Sequence, residues 1–505
     1  MIYDRNPTRR ELLSGLGALG IASSALVASG CANRAIPAAR VGADVSLAPA
    51  PGEEPSVGLS VTPERVIVIG AGIAGLAAAH ALTLEGLPNV VLEARDRVGG
   101  RMHTVPVADA PVDVGAAWIH QPVGNPTSLL AAAAGLRTRD HGIESLLRAS
   151  ALLSENPEAV ADARVGFWPR LRLFSSAAGV EPSFLGHGDS TESLDEAVAA
   201  LVARQHGSPQ HQRRLVELID ILFSTLFAAP LNELGAANLS VEEPYGGADD
   251  VVVGGYGALI ERLATGLSIR TGATVVRVQS DSTGVTVGLD DGTFERGSNV
   301  IVTLPVGVLQ SGAMRFEPPL PDTQRLALQA LNAGRFEKVI LRYQERWWSE
   351  LGRGALRLGG AENDLPVWMD FSEPAGAPTL IALCAGGRVD SLHNGLKAGP
   401  IADLAEWSLR RMVGRKPPAP LAVHVTGWRD DPFTRGAYSS LRPGAPRRVA
   451  LAVATPHADR VLFAGEHTSI DRGGTVDGAL LSGVREACRV LGRKAVGLHP
   501  AGLPA

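Results

Sequence analysis

The chain has 505 residues, more than one hydrophobic core organises, so two or three domains are expected. Apolar residues make up 45% and charged residues 20%, which excludes a wholly disordered chain, and its 58 glycines and 34 prolines follow no period, which excludes a collagen-like repeat. A net charge of −5 without any long Lys/Arg block excludes nucleic acid as a partner, and Cys31, Cys384 and Cys488, with no CxxC or HExxH spacing, provide neither a disulfide framework nor a readable metal site.

Thr8-Arg9-Arg10-Glu11-Leu12-Leu13 places a twin arginine ahead of an apolar run from Leu12 to Ala28. The run contains Gly and Ser and is short for a bilayer span, so residues 1–30 read as a bacterial Tat export signal outside the fold. Ala28-Ser29-Gly30-Cys31 resembles a lipoprotein cleavage box, with Ala28 where Leu is usual; lipidation of Cys31, the one expected tie to a membrane, and ordinary cleavage nearby both stand. Residues 31–62 show no period and read as a flexible linker. The Tat machinery carries folded proteins, which favours a tightly held cofactor loaded before export.

Arg65-Val66-Ile67-Val68-Ile69 reads as a buried parallel strand, followed at once by Gly70-Ala71-Gly72-Ile73-Ala74-Gly75 and a helical run from Leu76. Strand, GxGxxG and helix is the context a dinucleotide-binding turn requires. Gly70 allows the tight turn, Gly72 lets the backbone approach a pyrophosphate at the helix N-terminus, and Gly75 lets helix and strand pack closely. A second strand, Val90-Val91-Leu92, ends at Glu93, where an acid accepts hydrogen bonds from the adenosine ribose.

Glu93-Ala94-Arg95-Asp96-Arg97-Val98-Gly99-Gly100-Arg101 then adds a second glycine pair and a cation, Arg101. This extension resembles the FAD-binding N-terminus of the flavin amine oxidase superfamily. The resemblance continues in order over nearly all of residues 65–492. Gly115-Ala116-Ala117-Trp118-Ile119-His120, followed by Gly124-Asn125-Pro126, is most similar to the polyamine and spermine oxidase branch, in which a histidine at the place of His120 faces the substrate. Gly254-Gly255-Tyr256-Gly257 resembles a second glycine turn of the family, and Val276 stands where relatives bind the adenine edge through main chain. Alternation through Gly284–Leu289, then Asp290-Asp291-Gly292-Thr293, reads as a hairpin with an Asp-Gly turn.

Gly334-Arg335-Phe336-Glu337-Lys338-Val339-Ile340-Leu341 matches the segment that carries an active-site lysine in the family. Apolar neighbours on both sides predict a partly buried Lys338, which the resemblance places against a water at flavin N5. Trp428 to Ser439 resembles the stretch leading to the substrate face of the flavin. Gly465-Glu466-His467-Thr468 with Gly474-Thr475-Val476-Asp477-Gly478 resembles the closing motif. By that resemblance Glu466 meets the ribityl chain, Thr475 and Val476 meet the isoalloxazine, and a helix starting at Gly478 aims its dipole at the pyrimidine edge.

Three departures matter. Ala437 stands where monoamine oxidases carry a flavin-bonding cysteine, so FAD is expected to be noncovalent. Thr475 stands where they carry a second cage tyrosine, so Tyr438 is left without that partner. Asp477 replaces a residue commonly His in polyamine oxidases; an extra charge near the site and a surface cap are both open.

The implied architecture is α/β: a two-domain, Rossmann-like FAD fold of the glutathione-reductase type with an α+β substrate domain. The FAD-binding domain is expected in three pieces, 63–125, 245–308 and 425–495, and the substrate domain in two, 126–244 and 309–424. Helical spacing in Leu194, Val198, Leu201 and Val202, and in Leu215, Leu218, Ile219 and Leu222, predicts helices walling a substrate funnel. The implied reaction is hydride transfer from an unprotonated amine to FAD, with Tyr438 and Trp428 as aromatic walls and Lys338 organising the N5 water. Oxygen, or another electron acceptor, takes the electrons; no metal is implied. Glu181, Asp189, Glu192 and Asp195 are candidates for holding distal cations of a polyamine. An L-amino-acid oxidase would instead need an arginine clamp, for which Arg148, Arg170 or Arg172 could serve. A periplasmic amine dehydrogenase, or an amine-binding module without turnover, would carry the same FAD motifs.

Overall fold

The computed structural model describes residues 65–141, 193–203, 208–235, 238, 245–351, 354–356, 364–393 and 398–492. The expected export signal, Cys31 and the linker lie outside the described residues, as do Glu181, Asp189, Glu192, Arg148, Arg170 and Arg172. Among the described residues no helix is long and apolar enough to cross a membrane.

The run Val66–Ile69 is buried at every residue because it is the central strand of an all-parallel five-stranded sheet. The order is Val461–Phe463, Val300–Val302, Val66–Ile69, Asn89–Leu92, Ile269–Arg270, with Ile67 registered between Val300 and Val90. Alternation decides what each face meets. Val66 and Val68 pack on helices Ile73–Leu84 and Val476–Val490, whereas Ile67 and Ile69 pack on Val275, Val285 and Val287 of a second, four-stranded sheet. The two helices touch backbone to backbone: a Cβ on Gly483 would overlap the carbonyl of Ala74. In the four-stranded sheet, Val285–Leu289 and Phe294–Gly297 form the hairpin expected around the Asp-Gly turn.

A second five-stranded sheet is antiparallel, in the order Gly354–Leu356, Val367–Asp370, Thr379–Ala385, Phe336–Arg342, Ala422–Val425. Ile340 and Leu383 face helices Leu194–Ala203 and Pro209–Phe227, which bury Leu194, Val198, Val202, Leu215, Leu218, Ile219 and Leu222. Val339 and Leu341 face Trp348 and helix Ala398–Val413. The parallel sheet thus presents its glycine turn, and the antiparallel sheet presents Lys338, to one shared space.

Candidate active site

That space is a cavity of about 620 Å³. Its wall includes Gly70, Gly72, Ile73, Ala74, Glu93, Ala94, Arg95, Gly99, Gly100, Arg101, Gly115, Ala116, Trp118, His120, Val276, Lys338, Trp428, Tyr438, Gly465, Glu466, Gly474, Thr475 and Val476. Two expected cofactor residues are not in the wall. A Cβ on Gly75 would overlap the carbonyl of Gly70, so Gly75 packs the helix onto the turn, and Ala117 is buried in the hydrophobic core. Asp195 does not line the cavity either.

The glycine turn is built for an anion. Gly70 has φ +100°, a left-handed value that disfavours a side chain. Gly72 is the N-cap of helix Ile73–Leu84 and makes no side-chain cap bond, so the first amides of the helix are left for a ligand. A Cβ at Gly72 would meet nothing within 4 Å, and one at Gly100 would lie 3.3 Å from Gly72 Cα. Glu93 ties the turn to the next loop, accepting from the Ala71 amide at 2.7 Å and the Arg95 amide at 2.9 Å. Val276 is the extra residue of a β-bulge: Gly288 pairs with Arg277 and Leu289 with Val275, which leaves the main chain of Val276 outside the ladder. Both ring nitrogens of buried His467 lack a partner among the described residues, and the ring lines the cavity. Burial pushes His467 down to about 4, helped by Arg101 and Arg485 against the pull of Glu466, so the ring is neutral. An uncapped helix start, a buried acid one strand away, a free backbone edge and an orphaned imidazole along one cavity fit a flavin dinucleotide.

Arg101 donates to the Ala437 carbonyl at 2.5 Å and to Glu466 at 2.9 Å. Glu466 also accepts from Ser439 Oγ at 2.5 Å and the Gly474 amide at 2.9 Å. Burial works against its charge, but the Arg101 guanidinium and the Ser439 hydroxyl hold the carboxyl below its usual range. Glu466 therefore lines the cavity while pinning three loops together. Thr475 caps helix Val476–Val490, accepting from the Gly478 amide at 3.1 Å, so that helix starts two residues before the expected Gly478.

Lys338 is more deeply buried than expected, at 2% exposure. Its Nζ donates to the carbonyls of Asp113 at 2.8 Å and Gly115 at 2.6 Å, and lies 5.4 Å from the Trp118 ring centroid. Burial pushes Lys338 down to about 8 against the opposing pull of Asp113. Burial pushes Asp113 up to about 6 against Thr104, Lys338 and the Tyr256 amide. Behind Lys338, buried Glu337 accepts from Thr426 Oγ1 and from the Arg429 amide, which fixes the turn that delivers Trp428.

Tyr438 donates its hydroxyl to the Thr225 carbonyl at 2.7 Å, and burial raises that hydroxyl well above the ordinary phenol value. Phe336, also in the wall, stacks at a tilt 5.8 Å from Tyr438. Trp428 is anchored through Nε1 to the Val114 carbonyl at 2.9 Å. The expected half-cage therefore gains an aromatic neighbour, Phe336, from the strand that carries Lys338.

His120 Nδ1 lies 3.1 Å from Asp249 Oδ2. Desolvation opposes a charge on His120, but Asp249 outweighs it and raises the imidazole above its usual value. Asp477 is no surface cap. It is buried and holds Arg472 through two contacts, 2.6 and 3.1 Å, while Arg472 also donates to Gln121 at 3.3 Å. Asp249 is not legible in the sequence because only the fold brings it to His120; two acids at the opening of the β-branched strand Asp250–Val252 are the one local sign.

Residues 73–491 match the family described as flavin containing amine oxidoreductase. The chain belongs to that family. It is 31% identical over 462 residues to polyamine oxidase 4 of Oryza sativa subsp. japonica, covering 85% of this chain and 89% of that one. It is 31% identical over 454 residues to lysine-specific histone demethylase 1 homolog 1 of the same plant, covering 86% of this chain but 53% of that one. Its fold is similar to that of wild-type putrescine oxidase bound to putrescine, with a TM-score of 0.65, 23% identity, and coverage of 85% and 99% of the two chains. The protein is an FAD-dependent oxidoreductase acting on amines.

Proposed function

We propose that this family member oxidises a diamine or polyamine to an imine, which adds water to give an aldehyde and releases ammonia from a primary amine or a shorter amine from a secondary one, and that oxygen takes the two electrons and two protons to become hydrogen peroxide. The observation that carries the reading is a buried lysine and an aromatic wall of Trp118, Phe336, Trp428 and Tyr438 around one cavity. FAD, when bound, supplies the acceptor for the hydride that leaves the carbon beside nitrogen. The uncapped helix at Ile73, the acid Glu93 and the main chain of Val276 would hold its dinucleotide part, and Lys338, Thr475 and Val476 would meet its ring system.

The chain supplies position and dryness. Trp428 and Tyr438, fixed by main-chain carbonyls, hold the substrate carbon in one pose, which is where proximity lowers the barrier. An amine titrates near the lysine value of about 10.4, and an apolar wall favours its reactive neutral form. Lys338, held by two carbonyls, keeps a donor at the reacting end. At Arg472 a carboxylate clamp for an amino acid would have to compete with Asp477 and Gln121, which already accept from Nε, Nη2 and Nη1. The twin arginine at Arg9-Arg10 supports export by the Tat pathway to the periplasm, with a lipid anchor if Cys31 is modified.

Anaerobic mixing of the holoenzyme with spermine, spermidine, acetylated polyamines, monoamines and amino acids tests the reading. Bleaching of the oxidised-flavin band by amines but not amino acids is expected. Bleaching by amino acids alone, or by nothing, refutes it.

A further inference from the structure

The antiparallel sheet grips one segment of the cavity wall, Gly115 to Trp118, at two places. At the first, Lys338 donates to the Gly115 carbonyl at 2.6 Å and faces the Trp118 ring. At the second, the grip passes through His141, a buried residue behind the cavity wall. Its Nε2 lies 2.6 Å from the main-chain carbonyl of Asp370, at the end of strand Val367–Asp370; a carbonyl only accepts, so the ring donates. The His141 carbonyl accepts from Trp118 Nε1 at 3.0 Å, and the His141 amide donates to the Asp249 carbonyl at 2.9 Å. Phe371 packs against both rings, tilted at 4.5 Å from His141 and edge-on at 5.3 Å from Trp118. The Asp370 carboxylate is turned to Arg346 and to the Ser372 amide, so it is the main chain of Asp370 that holds His141.

We propose that His141, with Phe371 beside it, is a positioning residue that holds the Trp118 indole against Lys338 and so keeps water from its ammonium. This rests on the role given to Lys338 above. A half-buried indole N–H needs an acceptor, and the His141 carbonyl supplies it. The Nδ1 of His141 has no hydrogen-bond partner among the described residues, which leaves the Asp370 carbonyl as the polar anchor of the ring. How readily Lys338 gives up its proton depends on how much water reaches it. Burial pushes it down to about 8, and Asp113, the charged group that acts on it, pulls the other way. Trp118 supplies part of that burial. With the Asp370 hydrogen bond gone, the His141 carbonyl and the indole it holds lose their fixed place, and water enters beside Nζ.

The test follows kcat against pH for the FAD holoenzyme, at saturating levels of an amine that bleaches the flavin. Lys338→Met first marks which inflection belongs to Lys338. His141→Phe keeps a ring against Phe371 and removes the donor. Its Lys338 inflection is expected to move up from about 8 by about one unit or more, toward the ordinary lysine value. His141→Gln restores a side-chain N–H for the Asp370 carbonyl and is expected to keep the inflection near 8. Should His141→Phe yield no holoenzyme, Phe371→Leu decides: it removes the ring at the edge of Trp118, and the same upward shift is expected. A purely structural role would lower the unfolding temperature and leave the inflection in place. That result overturns the proposal, as does an equal shift in His141→Gln. If the wild type has no inflection that Lys338→Met abolishes, the role of Lys338 falls and the proposal falls with it. Flavin bleaching by amines, read on the same samples, reports separately on amine oxidation.

Discussion

Lys338 and Asp113 meet through the wrong end for a salt bridge: the Lys338 ammonium donates to the Asp113 main-chain carbonyl at 2.8 Å, while the Asp113 carboxylate accepts from Thr104 and the Tyr256 amide. The lysine is thereby aimed by backbone and tuned by burial. Near pH 8 its charge is within reach of titration, which a surface lysine never offers.

Replacing it tests this directly. Lys338→Met should retain FAD, seen as an unchanged ratio of flavin to protein absorbance, and slow turnover about a hundredfold or more, as expected for loss of a positioned proton-handling group. The pH sign follows from the lowered value: Lys338 is charged below about 8 and loses its proton above it. A kcat inflection near 8 should be present in the wild type and absent from the variant, while any inflection due to the substrate amine persists in both.

Gly75→Ala should abolish the holoenzyme. The added methyl overlaps the Gly70 carbonyl, and both atoms belong to backbone that the strand and helix hold rigidly. Colourless or insoluble protein is expected. Yellow protein with normal FAD content would show that the turn has room.

Asp477→Asn should leave Arg472 buried with its main counter-charge gone, a loss of about 3–5 kcal/mol for a buried pair. Thermal unfolding followed by flavin fluorescence measures it. A double change of Arg472→Met with Asp477→Leu should recover much of the loss, because it removes the stranded charge.

Thr475→Ala should cost only about 1 kcal/mol, the usual value of an N-cap side chain. A far larger drop in unfolding temperature would assign Thr475 more than its capping role in the fold, and loss of FAD would show that its place in the cavity wall also holds the cofactor.

Local order is written plainly in the chain. The β-branched run Val66–Ile69, the glycines after it and Glu93 disclose the parallel strand and the dinucleotide turn, because those needs are met within about thirty consecutive residues. Lys338 is legible from its apolar flanks, which no surface lysine requires. Pairings across the fold are not legible. Asp249 reaches His120 from 129 residues away, Phe336 reaches Tyr438 only when strand Phe336–Arg342 meets the loop ahead of Ser439–Leu441, and Gly75 does not line the cavity although its motif mates Gly70 and Gly72 do. Side-chain type and spacing are set by the sequence; which side chain meets which partner depends on distances between segments, and those exist only once the chain is packed.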